Sequence, residues 1–238
     1  MPGLGTIINT AAIVAGGLLG LLFKKLLTKS MEDTLLKASS VCVLFIGIGG
    51  AMQHMLKVTD GALETGGSMM LIVCFVLGSI VGELLDIEGA FERFGAWLRK
   101  KTHNESDTGF LPAFIHASLT VCIGAMAIVG SIQDGLLGDA SLLCAKAALD
   151  AVIILVMTAS MGKGCVFSAI PVALLQGSVT LLSRVLAPVF TDAAIANLSY
   201  TGSVMIFCVG LNLVWGKKIK VANLLPTLVF AVLYALVF

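Results

Sequence analysis

Residues 143–161 read Leu-Cys-Ala-Lys-Ala-Ala-Leu-Asp-Ala-Val-Ile-Ile-Leu-Val-Met-Thr-Ala-Ser-Met, a run whose only charges are Lys146 and Asp150, four residues apart. A hydrocarbon core of ~30 Å takes about 20 helical residues to cross, so this run reads as a membrane-spanning helix. The same test carried outward finds apolar runs at 4–22, 39–56, 67–85, 111–133, 165–186, 197–215 and 221–238, each bounded by charge or by Gly/Pro punctuation. Together they make eight spans, or seven if the fifth and sixth, parted only by Gly162-Lys163-Gly164, form one.

Composition points the same way. Of 238 residues 58% are hydrophobic and 12% charged, and mean hydropathy is +1.04, against the roughly 45–50% apolar content of soluble domains. Eight short-looped spans use up the chain, so the expected architecture is all-α: a polytopic membrane helical bundle forming one integral membrane domain over 1–238. Its surroundings are the lipid bilayer. A net charge of +1 offers no basic surface, which excludes a nucleic-acid partner. The six cysteines fall in or beside apolar runs, where Cys acts as a small hydrophobe, so no disulfide framework is expected.

Lysine and arginine set the expected orientation, because cytoplasmic loops carry the positive excess. With the N-terminus outside, cytoplasmic loops hold Lys24, Lys25, Lys29 and Lys37, then Arg93, Arg99, Lys100 and Lys101, then Lys163, then Lys217, Lys218 and Lys220. Outer loops keep Lys57, Lys146 and Arg184, together with Asp60, Glu64, Asp134, Asp139 and Asp192. Met-Pro-Gly-Leu-Gly lacks the basic n-region of a signal peptide, so the first span reads as retained. Two cytoplasmic segments, 24–37 and 87–98, space apolar residues helically among charges and read as amphipathic interfacial helices. Polar residues 101–108 read as a flexible linker.

A faint internal match pairs 41–82 with 121–162 at an offset of 80, and a Cys followed eleven residues later by Gln recurs at Cys42/Gln53, Cys122/Gln133 and Cys165/Gln176. It reads either as a hairpin repeat of the kind many transporters use or as coincidence in an apolar background.

Polar groups at membrane depth are costly, roughly 2.5–3.5 kcal/mol for a charge at a helix centre, which makes them the candidate functional residues. Asp150 lies about five residues into its run, with Lys146 one turn earlier and Thr158 two turns later. It reads as a cation or proton site, or as an interfacial ion pair. Thr120, Gly124, Ala127, Ser131 and Asp134, with Gln133 beside them, form a small-polar stripe that suits either helix packing or a solute-lining face. Asn212 continues a similar face with Asn197, Thr201 and Cys208, and Asn9 stands in the outer third of the first span, where a lone amide often bridges helices. Gly16, Gly17, Gly20, Gly78 and Gly82 suit close helix contact. Pro171 and the Gly162/Gly164 break predict a kinked or broken span able to expose carbonyls to an ion, with Gln176 just over a turn beyond.

Enzyme signatures are absent. There is no His-Glu-x-x-His, Gly162-Lys163-Gly164 lacks the rest of a phosphate loop, and His54, His103 and His116 are scattered. Neither an enzyme activity, a metal nor a cofactor is expected.

The stretch 117–136, Ala-Ser-Leu-Thr-Val-Cys-Ile-Gly-Ala-Met-Ala-Ile-Val-Gly-Ser-Ile-Gln-Asp-Gly-Leu, resembles the bacterial YdfK/YqgA family of integral membrane proteins, catalogued as a domain of unknown function. The likeness extends to Gly5-Thr6 with Asn9, Gly16 and Gly20, to Lys146 with Asp150, to 168–172 with Gln176-Gly177, and to 210–212 and 220–226. The resemblance implies a small polytopic protein of the bacterial cytoplasmic membrane, in a family described as transporters without an established substrate. It also implies weight on Gln133, Asp134 and Asp150.

The leading expectation is a transporter or channel for a small solute or ion, proton- or cation-coupled, with Asp150 as the ion site and Gln133, Gln176 and Asn212 as liners. The alternative is a scaffold or regulatory protein that docks a partner through its cytoplasmic amphipathic helices. Transport requires the polar residues to converge on a hydrated cavity, whereas a scaffold needs only that they pair off between helices. The glycine faces suggest a homo-oligomer.

Overall fold

In the computed structural model, which describes residues 2–59, 61–123 and 125–237, every apolar run is helical. The helices are α1 (Leu4–Lys24), α2 (Lys29–Met55), α3 (Ser68–Leu85), α4 (Ile87–Lys101), α5 (Phe110–Cys122), α6 (Ala125–Leu137), α7 (Ser141–Met161), α8 (Ala169–Leu181), α9 (Ser183–Leu186), α10 (Asp192–Trp215) and α11 (Pro226–Val237). Two 3-10 turns, Lys163–Ser168 and Val221–Leu224, lead into α8 and α11. A two-stranded antiparallel hairpin, β1 (Leu56–Thr59) and β2 (Ala62–Thr65), joins α2 to α3 with Leu56 opposite Thr65. Asp60 lies outside the described residues, as does Gly124 of the small-polar stripe.

Among the described residues six helices are long and apolar enough to cross a membrane, and α5 with α6, bent by 60°, makes a seventh if the pair is one span. The eighth run, Val221–Val237, is a shorter apolar helix. Thus the fourth run is broken and the eighth is short, while the fifth and sixth are separate. Gly162 ends α7 at φ +101 and turns the chain back into α8.

Glycines fix how the helices run, because only a missing Cβ lets backbones come this close. A Cβ on Gly16 would fall 2.3 Å from the Ala151 carbonyl and one on Gly20 2.4 Å from that of Leu155, so α1 and α7 are parallel. Gly47 against Phe207 and Gly50 against Ser203 make α2 antiparallel to α10, and Gly78 against Thr227 and Gly82 against Asn223 make α3 antiparallel to α11. Gly17 against Val166 and Thr6 against Thr180 make α1 antiparallel to α8. The apolar runs therefore alternate in direction along the chain. One end of the bundle gathers Lys24, Lys163, Lys217 and Lys220 with Glu83, Glu88, Glu92 and Asp107, and is called here the lysine-rich end.

The first three spans each lie on a later helix, α1 on α7, α2 on α10 and α3 on α11. They leave the centre to α5, α7, α8 and α10, whose core includes Phe110, Phe114, Ile154, Met157, Val172 and Met205.

The first amphipathic segment differs from expectation, and the second forms a helix of its own. Residues 29–37 are the opening turns of α2, capped by Thr28, because Lys37-Ala38-Ser39-Ser40 offers no helix breaker and the two runs fuse. The second segment is the separate helix α4, with Leu98 buried and Phe94 packed on Phe114 of α5. The linker after it is a short sequence of turns, with His103 at φ +54 and Asp107 accepting from the Gly109 amide.

Candidate functional site

Asp150 is the tenth of the twenty-one residues of α7, so it sits near the middle of its span rather than toward one end, because the helix begins at Ser141. Its Oδ2 accepts from Lys146 Nζ at 2.5 Å and from Asn9 Nδ2 of α1 at 3.0 Å. Lys146 also donates to the Val121 carbonyl at 2.8 Å. That carbonyl is available because α5 stops at Cys122 and Ile123 turns extended, at ψ 122, so the oxygen no longer has a helical partner one turn on. The side chains of Lys146 and Asp150 are only 8% and 5% exposed.

A buried ion pair repays its desolvation only when the remaining donors and acceptors are met. Here the lysine uses the carboxylate and a freed backbone oxygen, and the carboxylate uses the lysine and an amide. The broken fourth span is thus an electrostatic component of the site. The sequence led us to look for such a break at Pro171, but Pro171 is the third residue of α8, in a first turn where its missing N–H costs little.

From this pair polar groups continue along the junction of α1, α6, α7 and α8 toward the end opposite the lysines. Thr6 lies one turn before Asn9 and meets Thr180 at 3.5 Å between hydroxyl oxygens. Asp134, fully buried on α6, accepts from the Gly5 amide at 2.9 Å through Oδ2. Ser131 donates to the Ala127 carbonyl, and Ser183 lies against Gly135. Several atoms on this seam find no hydrogen-bond partner among the described residues: Asn9 Oδ1, Asp134 Oδ1, and both ends of the Gln176 amide. Toward the lysine-rich end the seam stops. Beyond Asp150 the packing is mostly apolar, with Ile13, Ile154, Met157, Phe114 and Cys165 all at most 2% exposed, and it holds the fully buried hydroxyl of Thr158, seated against Gly20.

The remaining residues singled out by sequence are placed elsewhere. Asn212 closes the turn after α10, its Oδ1 accepting from the amides of Lys218 and Ile219 and its Nδ2 donating to the Ile219 carbonyl. It lies at the lysine-rich end because Gly216 turns the chain there at φ +76. Gln133 is half-buried and Gln53 exposed, so the three glutamines of the Cys/Gln pattern have three different surroundings. Gly162 lies beside Lys24 Nζ, and Gly164 against the Phe110 carbonyl.

Sequence reasoning missed a second network, at the lysine-rich end. Glu88, 5% exposed, donates its backbone N–H to Asn223 Oδ1 at 2.6 Å and accepts from the Ala222 amide at 3.0 Å. Two helix starts therefore cap each other. Asn223 also donates to Glu83 at 2.6 Å, and Lys217 bridges Glu88 and Glu92. Partial burial opposes the charge on Lys217, but its hydrogen bonds to Glu92 and Glu88 outweigh it and hold the ammonium above its ordinary range. A glutamate two residues into an amphipathic helix reads locally as solvated, and nothing nearby signals a partner 134 residues away.

The sequence model of a family described as "Protein of unknown function (DUF554)" matches residues 4–236. Two relatives extend over nearly the whole chain. The "Uncharacterized membrane protein YdfK" of Bacillus subtilis (strain 168) is 28% identical over 224 residues, covering 94% of this chain and 92% of its own. The "Uncharacterized protein YqgA" of Escherichia coli (strain K12) is 26% identical over 235 residues, covering 96% and 94%. No solved structure matches.

Proposed function

We propose, for a chain that belongs to the DUF554 family of proteins of unknown function, that it is a carrier of the bacterial cytoplasmic membrane that moves a small solute or ion in step with a proton or cation exchanged at Lys146–Asp150. The observation that carries this reading is the one-sided polar seam. It leads from the end opposite the lysines to an ion pair at mid-span and gives way there to tight, mostly apolar packing.

Physical cost favours it over a purely structural role. An apolar pair of similar volume holds two helices together as well as a buried ion pair or better. Each unpaired buried polar group costs about 1–3 kcal/mol, which a hydrogen-bonding solute or water entering the seam offsets. A polar path on one side of the ion pair and tight packing on the other suit an occluded state of an alternating-access carrier. The lysine excess supports a cytoplasmic lysine-rich end, which turns the polar end of the seam outward. In this reading a cation or proton competes with Lys146 for the Asp150 carboxylate, and Asn9 carries the change to α1. The chemistry involves no bond making beyond proton exchange. The docking reading draws less support, since one amphipathic segment has fused into α2 and the other packs on α5.

The test is purified protein in liposomes on a solid-supported membrane, challenged with jumps of pH, Na⁺, K⁺, amines and carboxylates. A transient current for at least one of these, abolished by Asp150→Asn, supports the proposal. Silence under every gradient, with Asp150→Asn leaving the cellular phenotype intact, overturns it.

A further inference from the structure

One cavity with an entirely apolar lining lies off the polar seam. About 550 Å³ in volume, it lies between the α5–α6 break, α8, α10 and α11, and every residue lining it is apolar. Phe91 and Leu225 mark it near the lysine-rich end, and Leu186 and Phe190 near the other, so it is a slot running along the helices. Cys122 lines it at mid-depth, next in the chain to the carbonyl that binds Lys146.

A second cavity of about 330 Å³ opens at the lysine-rich end, lined by Glu88, Glu92, His116, Asn212 and Lys217 as well as apolar groups. Leu119 lines both cavities, so the charged vestibule and the apolar slot adjoin at that side chain. Apolar cavities exclude water, and a slot at membrane depth is filled by what the bilayer supplies. An apolar channel with a charged mouth at one end complements a molecule with a long hydrocarbon chain and a polar head.

We infer that this pair of cavities is a binding site for a single hydrocarbon chain of a membrane amphiphile. The chain occupies the slot past Pro171 and Leu228, and the polar head stays in the vestibule among Glu88, His116 and Lys217. The site is separate from the polar seam and does not depend on the transport reading. Its position beside Cys122 places the chain against the break that frees the Val121 carbonyl.

The experiment uses the full protein in phosphatidylcholine nanodiscs with palmitic acid carrying a mid-chain diazirine, photolysed and mapped by peptide mass spectrometry. The expected result is saturable labelling in α8 and α11 around Leu175, Leu228 and Val229. It falls at least tenfold in Leu228→Trp, which fills the slot, and is unchanged in Ile72→Trp on the exposed face of α3. Competition by unlabelled palmitate against lysophosphatidylcholine tells a free acid from a phospholipid. Label that is unsaturable and spread over the exposed faces of α1 and α3 overturns the inference. So does saturable label that Leu228→Trp leaves intact in a protein with unchanged thermal unfolding. Disulfide capture of one copy by another through Val229→Cys, with no label in the slot, also overturns it and makes the slot an interface between copies.

Discussion

Asn9 and Asp150, 141 residues apart, share a 3.0 Å hydrogen bond that ties the first span to the centre of the bundle. A hydrogen bond to a charged group contributes about 1.5–3 kcal/mol, and without the amide the carboxylate keeps only its lysine. Asn9→Ala is therefore expected to lower stability by about that amount in detergent, measured by thermal unfolding. It is also expected to loosen α1, seen as faster proteolysis before Thr28.

Lys146 and Asp150 offer a sharper contrast between stability and activity. Removing one partner of a buried pair costs about 3–5 kcal/mol because it strands the other charge, whereas an apolar pair is often tolerated. Lys146→Met and Asp150→Leu should each destabilise strongly, and the double variant should recover most of the loss in denaturation while still giving no transport current. A double variant as unstable as the two losses summed would mean that the two residues are not coupled as an ion pair.

The glycines predict a pattern by position. Gly16→Ala and Gly82→Ala place a Cβ 2.3 Å and 1.8 Å from the carbonyls of Ala151 and Asn223, whereas a Cβ at Gly49 meets nothing within 4 Å. Overpacking of this kind costs about 1–3 kcal/mol. The first two variants should melt early and Gly49→Ala should match the parent.

Asn223 fastens the turn before α11 to α4 through Glu88 and to α3 through Glu83. Truncation to Ala leaves the Glu88 amide buried without its acceptor, at about 1–3 kcal/mol. The expected readout is early exchange of amide hydrogens at 87–90 and 221–225, with α7 unaffected.

The same region should be insensitive to pH in the middle range. Hydrogen bonding from Arg93 holds the Asp86 carboxyl below its ordinary range, so its contribution is present above that range and is lost only as pH falls through the depressed value. Lys217 is raised, so its contribution is complete below the ordinary lysine value and is lost as pH climbs through the raised one. Fluorescence of Trp97 and Trp215 should stay flat between about pH 5 and 9. A transition inside that window would contradict these ion pairs.

Much of the architecture was legible because spans and their order follow from local composition: eight apolar runs, alternating in direction, with the lysines gathered at one end. The Lys146/Asp150 pairing was visible as an i, i+4 spacing. What escaped depended on distant partners or on helix ends. Asn9 gave no sign of its partner on α7. Asn212 carried the right chemistry for a lining residue, but a glycine four positions later made it a turn-closer. The break in the fourth span coincides with no proline and therefore looked continuous.

The central claim is that the polar seam admits solvent from one side as far as Asp150. It is tested most directly by single cysteines at Gln176, Thr180 and Ile154 in sealed vesicles of both orientations, treated with a small membrane-impermeant thiosulfonate and corrected for native cysteine reactivity. Our account predicts that Gln176→Cys and Thr180→Cys react from the end opposite the lysines and that Ile154→Cys reacts from neither. Silence at position 176 from that side, or reaction of Ile154→Cys from the lysine-rich side in the resting protein, would contradict it.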